Sequence, residues 1–363
     1  MILTNGFDDG GDPYNLGGDI FMATAYLVRW GGPVDETEDP YGDSYTPGGL
    51  TPCKHTQEVI WVPARGSEID NDGIKNAIMQ RGGVYVSMGW YGSSDGSSYY
   101  DSTTSSYYYD GSEGTNHGVL VVGWDDNYAA ANFATPPAGN GAFIVKNSWG
   151  TEWGDDGYFY LSYHDSLFGR TKPMAVFNNA ETTTNYAGIY QYDPLGAVNF
   201  VWYGSSGGPT GWFANVFTAQ ATSSLNAVGF YSVSPDTEYE VYAGSSLETK
   251  TLNTSGTIAH MGYHTVTLSA PLEVKNGEPF AVAVKINSPG ATHPIAVEDS
   301  IAGYSSAATA QPGQSYVSST GSGWTDLTTL SGFANANVCL KAYVSSSAPV
   351  APVLTITSPS GPG

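Results

Sequence analysis

From about residue 180 onward the chain carries no helical periodicity, and that constrains its fold more than any other feature. Short alternating runs, at 213–219, 227–233, 239–243, 264–268, 280–286 and 338–344, lie between turns rich in Gly, Ser, Pro and Asn. Successive side chains of a strand point to opposite faces, so each run offers one face to a core and the other to water. Evenly spaced strands of this kind predict an all-β sandwich or jelly-roll. The first half reads differently. Asp19 is placed to cap a helix over 19–30, with Ile20, Ala23, Thr24 and Leu27 on one face and Gly31 as terminator. A strand over 56–62 follows, then a helix over 74–80 capped by Asp70 or Asn71 and closed by Gly82-Gly83. Strands are expected at 84–88, 118–124, 142–147 and 157–163. Helices first and an antiparallel run of strands afterwards predict an α+β unit. The Tyr/Ser/Gly/Asp stretch 90–113 reads as a long mobile loop, with an aromatic rim beside a substrate as the alternative. The expected division is an α+β domain over 1–178, a β-sandwich domain over 179–345 and a Ser/Pro-rich linker over 346–363, with Leu354-Thr355-Ile356 beginning another strand.

Charge narrows the partners. The chain has 34 Asp plus Glu against 12 Lys plus Arg, a formal charge of −22. Nucleic acid is not an expected partner, since phosphates need a basic surface. No stretch approaches eighteen consecutive apolar residues, so no membrane span is expected, and the first residues do not read as a signal peptide. Acidic, Lys-poor chains rich in Gly, Ser, Thr and Tyr suit a secreted or cell-surface setting, although a merely solvated surface accounts for the charge equally well. Cys53 and Cys339 fall in different predicted domains, which argues against a disulfide framework.

Two stretches carry chemistry. Asn116-His117-Gly118 opens an apolar run ending in Trp124, and Lys146-Asn147-Ser148-Trp149-Gly150 closes another that continues through Trp153-Gly154-Asp155-Asp156-Gly157-Tyr158. A histidine before one strand and an asparagine after its neighbour are candidates for a general base with an orienting amide, although each alone reads as an ordinary surface or packed histidine and a turn asparagine. Together these lines resemble the histidine and asparagine strands of papain-like cysteine peptidases, and the resemblance extends over about residues 5–176. It implies a Cys-His-Asn endopeptidase acting on peptide or protein substrates without a cofactor. His117 would be the base and later the acid. Asn147 would orient it, and Trp149 would cover the hydrogen bond between them.

In that family the nucleophilic cysteine opens a long helix, some 130–150 residues before the histidine. His117 has only 116 residues before it, so the expected position falls upstream of Met1. Cys53 lies 64 residues before His117, after Pro52 and without the helix start that stabilises a thiolate. It reads as an incidental loop cysteine, with a thiol made reactive by Lys54 and His55 as the alternative. Cys339 reads as packing. The chain is therefore expected to be the C-terminal part of a longer peptidase, lacking its nucleophile and inactive as it stands. The rival is a pseudopeptidase or adhesin that binds cell-surface glycan or peptide.

Other candidates are weaker. Asp8-Asp9-Gly10-Gly11-Asp12 with Asp19 offers oxygen ligands but not the spacing of a calcium loop, and reads as a solvated loop. His260, His264 and His293 lack zinc-site spacing, so no metal is expected. The second half, through 186–193, 212–217 and 279–284, resembles the lectin-like β-domain that accompanies some archaeal and bacterial papain-like peptidases. That implies a possible glycan partner. Trp202, Tyr203, Trp212 and Trp324 are candidate sugar-stacking faces, with packing as the plainer role.

Overall fold

The computed structural model describes residues 6–8, 17–40, 49–92, 97–204 and 207–346. Most of the Asp8–Asp12 loop, nearly all of the expected linker and the expected strand at 354–356 lie outside the described residues. In the first half, helix α1 (Ile20–Val28) precedes β1 (Lys54–Val62), and helix α2 (Asp72–Arg81) precedes β2 (Val84–Met88). Then come β3 (Tyr100–Asp101), β4 (Ser106–Tyr107), β5 (His117–Asp125), β6 (Ala142–Lys146), β7 (Tyr158–Ser162) and β8 (Met174–Thr182). Alternation along these strands sends Val84, Val86, Met88, Val119, Val121, Val145, Phe159, Leu161 and Val176 into one core.

Asp19 caps α1 as expected, its Oδ1 accepting from Phe21 N and Met22 N at 2.9 and 3.0 Å. Of the expected face only Ile20 and Thr24 are buried; Ala23 and Leu27 are half-buried, and Ala25, Tyr26 and Val28 are buried instead. The reason is tertiary: α1 is wedged between the halves, with Ile20 and Val28 packed near Trp61 and Tyr231, and Ala25 near Leu195. Asn71 precedes α2, but no side chain caps its N-terminus.

The stretch read as a mobile loop is packed over its described residues. Tyr107 and Ser106 are fully buried, and β4 lies parallel to β7 with β3 outside it at the sheet edge. Aromatic rings supply the burial that the low-complexity composition disguised: Tyr107 stacks on Trp90 at 4.5 Å and Tyr109 on Tyr91 at 4.6 Å.

The second half contains β9 (Gly188–Tyr190), β10 (Asn199–Val201), β11 (Thr210–Thr218), β12 (Ser223–Ser232), β13 (Thr237–Gly244), β14 (Thr251–Ile258), β15 (Gly262–Val274) and β16 (Pro279–Asn287). The last strands are β17 (Ile295–Glu298), β18 (Ser315–Ser318), β19 (Thr325–Asp326), β20 (Asn337–Val338) and β21 (Leu340–Ser346). The run read as one strand at 338–344 is two, interrupted at Cys339, whose N–H donates to Ala296 O. Six strands in the order β14-β13-β16-β11-β18-β19 form one sheet. Its inner residues Phe213, Phe217, Val241, Val282 and Val284 pack against Leu225, Phe230, Leu340 and Val344 of β12 and β21. This is a two-sheet sandwich.

The halves are not independent. Among the described residues β12, β15, β21 and β9 continue the sheet of the first half, giving twelve strands in the order β3-β4-β7-β6-β5-β2-β8-β1-β15-β12-β21-β9. The seam is β1 against β15, with Glu58 opposite His264, Val59 opposite Tyr263 and Ile60 opposite Gly262. A side chain at Gly262 would overlap the Val59 carbonyl oxygen, so only glycine lets these backbones meet.

Candidate active site

His117 is the first residue of β5 and pairs with Met88 of β2; Asn147 directly follows β6, the next strand over. The Asn147 N–H donates to Gly157 O at 2.9 Å, so the turn before β7 holds its backbone. His117 Nε2 lies 2.9 Å from Asn147 Oδ1, and the Ser148 N–H donates to the same oxygen at 2.9 Å. A backbone N–H can only donate, which identifies the shared atom as the carbonyl oxygen. The proton of a neutral His117 therefore sits on Nε2, and Nδ1 keeps the lone pair that can take a proton. Asn147 is 8% exposed, and its Nδ2 is sealed from solvent without a partner among the described residues. Trp149 lies over the imidazole at 5.1 Å and 25°. Trp90 and Trp153 meet Trp149 edge-on at 4.8 and 4.9 Å, which fixes this cover in place.

Sequence reasoning did not assign roles to Trp90, Asn116 or Tyr85. Asn116 clamps the backbone of Trp90 from both sides, its Oδ1 accepting from Trp90 N at 2.7 Å and its Nδ2 donating to Trp90 O at 2.9 Å. The amide next to the histidine thus ties the aromatic cover to the strand that carries His117. Tyr85 could be found only in space. A Cβ at Gly118 would come within 2.6 Å of its hydroxyl, so the glycine after His117 makes room for that ring. Tyr85, Gly118 and Ser148 line a cavity of about 420 Å³ with Ile20, Met22 and Phe177, beside the His–Asn pair.

Neither cysteine reaches this pair. Strand register puts Cys53 level with residue 183, just past the end of β8, and His117 level with residue 172, just before its start, at opposite ends of the sheet. Eleven residue steps are about 36 Å along a strand, before the lateral spacing is added. Cys53 is exposed and unpaired, and His55 beside it stacks on Trp30 at 3.7 Å. Cys339 is 1% exposed in the other half. Among the described residues no group of three or more His, Cys, Asp or Glu is arranged to hold a metal ion.

Comparison with known proteins accords with this geometry. Residues 15–178 match the family model described as papain family cysteine protease, and residues 189–344 match that of a lectin-like domain. A cysteine proteinase of Carica papaya is 31% identical over 70 residues, and the match covers 19% of this chain and 69% of that relative. The chain belongs to the papain family of cysteine proteases. Within the papain family, cathepsin R of Mus musculus is 31% identical over 152 residues, 40% of this chain and 41% of the relative. The chain spans only between a tenth and about two fifths of the length of the first curated relatives it matches. A solved structure of the clostridial cysteine protease Cwp84 after propeptide cleavage superposes with a TM-score of 0.80 at 27% identity, covering 95% of this chain and 85% of the other. A second, of the cysteine protease and lectin-like domains of Cwp84 from Clostridium difficile, gives 0.76 at 27% identity, covering 90% and 73%. This papain-family chain thus has a papain-like domain followed by an all-β lectin-like domain.

Proposed function

We propose that this chain carries the proton-handling half of a Cys-His-Asn peptide hydrolase, and that its thiolate is not furnished by residues 1–363. The observation that carries the reading is the 2.9 Å His117–Asn147 hydrogen bond beneath Trp149. With a thiolate in place, His117 holds the thiol proton and passes it to the leaving amine, and a water then hydrolyses the thioacyl intermediate with His117 as base. Asn147 keeps the imidazole in the tautomer that leaves Nδ1 free. Exposed Leu120, Val122 and Phe177 lie on the same side of the sheet as Tyr85 and Gly118, where a helix bearing the cysteine would cover them. Residues 1–363 alone are inactive in this reading. The test compares them with the naturally expressed protein on an unblocked peptide, with and without a thiol alkylator. Alkylator-sensitive cleavage by the natural protein that disappears in His117→Ala supports it; cleavage indifferent to both removes it.

The organisation that goes with this reading is a peptidase domain over 1–178, a lectin-like domain over 179–345 and a linker over 346–363. A secreted or cell-surface location is supported by the likeness to Cwp84, described as a surface layer associated protein. Among the described residues no helix is long and apolar enough to cross a membrane.

A second reading, an adhesin that binds glycan, is favoured by one surface. On the outer side of the six-stranded sheet, Ala214, Ala281 and Ala283 form a small-residue floor, with Tyr242, Tyr316 and Trp324 packed around it. Trp324 helps line a cavity of about 680 Å³ with Glu248, Lys250 and Tyr316. Aromatic faces beside charged groups suit a saccharide. Trp324→Ala would abolish retention on a glycan array; retention unchanged by that variant would dismiss this face.

A further inference from the structure

Lys341, Asp193 and Glu298 are all completely buried, and they meet where the lectin-like half abuts the first half. Lys341 Nζ donates to Asp193 Oδ2 at 2.9 Å and to Asp193 O at 3.1 Å. Glu298, the last residue of β17, pairs with Asn337 of β20, and its Oε1 accepts from Leu195 N at 2.7 Å. Glu298 feels the charge of both Asp193 and Lys341. Tyr231, Tyr263, Tyr343 and the Cys339 thiol enclose the group, each at most 1% exposed, and Arg29 of the α1 C-cap senses Glu298 from the first half.

As a permanent ion pair this arrangement is poorly satisfied. Among the described residues Lys341 pairs with Asp193 and not directly with Glu298, and Asp193 Oδ1 and Glu298 Oε2 are sealed from water with no well-formed hydrogen bond. The Asn337 side chain gives Glu298 only the smallest of its stabilising contacts, since its Nδ2 also donates to Tyr192 O and Thr309 O. Buried charges are expensive unless every lone pair and proton is matched. Burial pushes the Glu298 carboxyl up to about 8 and raises Asp193 as well, so Glu298 holds its proton at neutral pH. A lysine held against a carboxyl away from water, with a second acid in the same buried cluster, is an arrangement suited to amide condensation. Holding the reactants together replaces the effective concentration that free amines and acids lack in water.

We propose that Lys341 and Asp193 condense into an intramolecular isopeptide bond, with Glu298 relaying the protons. The Lys341 ammonium passes a proton to the Asp193 carboxylate, leaving a neutral amine and a neutral acid. The Nζ lone pair then adds to Asp193 Cγ while Glu298 protonates the developing oxyanion. Nζ returns a proton to Glu298, and a hydroxyl leaves Cγ as water with a proton that Glu298 lends and recovers. The Nζ–Cγ bond forms and a Cγ–O bond breaks; no oxidation state changes and no co-reactant is consumed. The product is a neutral amide where an ion pair stood. It joins β21 to the segment between the halves across 148 residues of chain and closes the lectin-like half on itself.

The test is the mass of the intact, denatured full chain after folding at neutral pH. The expected mass is that of the sequence less one water, and digestion should yield a joined peptide pair carrying Asp193 and Lys341. Lys341→Met should retain the full mass. Asp193→Asn should expel ammonia instead and arrive at the mass of the linked wild type. Glu298→Gln should stay unlinked while its circular dichroism and urea midpoint still report a folded protein; linkage at the wild-type rate would remove Glu298 from the scheme. A folded wild-type chain that keeps its full mass after prolonged incubation overturns the proposal. So does a water loss that maps to a succinimide or persists in Lys341→Met. If the variants fail to fold, the wild-type peptide map decides alone.

Discussion

Gly262→Ala tests the claim that one continuous sheet, rather than a flexible join, holds the two halves together. At Gly262 φ is +131°, a conformation that L side chains rarely adopt, and an added Cβ would overlap the Val59 carbonyl oxygen. The same Cβ would lie 3.0 Å from Trp61 N and from the Val59 carbonyl carbon. These are backbone atoms of β1, so no rotamer change relieves the overlap, and the strands must part by about 1 Å. Backbone strain of this kind costs about 1–3 kcal/mol. Separation also weakens the bond from Trp61 N to Met261 O, now 2.8 Å, and its neighbours across the seam, at about 1 kcal/mol each. The expected destabilisation is about 3–5 kcal/mol, large for a single added methyl. Urea unfolding followed by tryptophan fluorescence measures it, because Trp61 sits at the seam. Gly277→Ala is the control: φ there is +79° but nothing lies within 4 Å of the new Cβ, so only the backbone term of about 1 kcal/mol applies. If Gly262→Ala falls within about 0.5 kcal/mol of that control, the seam does not bind the halves as argued.

Three further outcomes are expected. Asn147→Ala in the naturally expressed protein should lower kcat by roughly 10²–10⁴, as expected for a base that loses its orientation; peptide turnover at saturating substrate measures it, and an unchanged kcat would show that Trp149 alone holds His117. The His264 hydrogen bond, aided by Asn178, depresses the Glu58 carboxyl from 4.5 to about 2. A depressed acid stabilises the fold above its unfolded value and loses that contribution as pH falls from about 4.5 toward 2, so Glu58→Gln should flatten the acid limb of a stability–pH curve by about 1–2 kcal/mol after solvent screening. Tyr107→Ala should cost about 3–5 kcal/mol in urea unfolding, because its fully buried ring stacks on Trp90; a loss below about 1 kcal/mol would return residues 97–113 to the status of a loose loop.

Both kinds of periodicity were legible because they depend on neighbours along the chain. Asp19 as a cap, α2 ending at Gly82 and the alternation of β2 follow from backbone geometry that a few adjacent residues dictate. His117 and Asn147 were legible for a related reason: each sits at the end of a short regular strand, so their meeting depends on a pairing that the apolar runs already implied. The Tyr-rich stretch 97–113 misled because composition reports average polarity, whereas its order comes from rings stacking on Trp90 and Tyr91. Asn116 stood inside the motif, yet its clamp on Trp90 depends on a residue 26 positions earlier.

By itself the sequence determined the two helices, most strands of the first half and the placing of His117 and Asn147 at the ends of neighbouring strands, since local sterics and alternating hydrophobicity are short-range and additive. Only the tertiary structure decided that the halves share a sheet, that Cys53 lies at the far end from His117, and that Lys341, Asp193 and Glu298 share one dry chamber. Those facts rest on register and on desolvation, which arise when segments more than a hundred residues apart exclude water together.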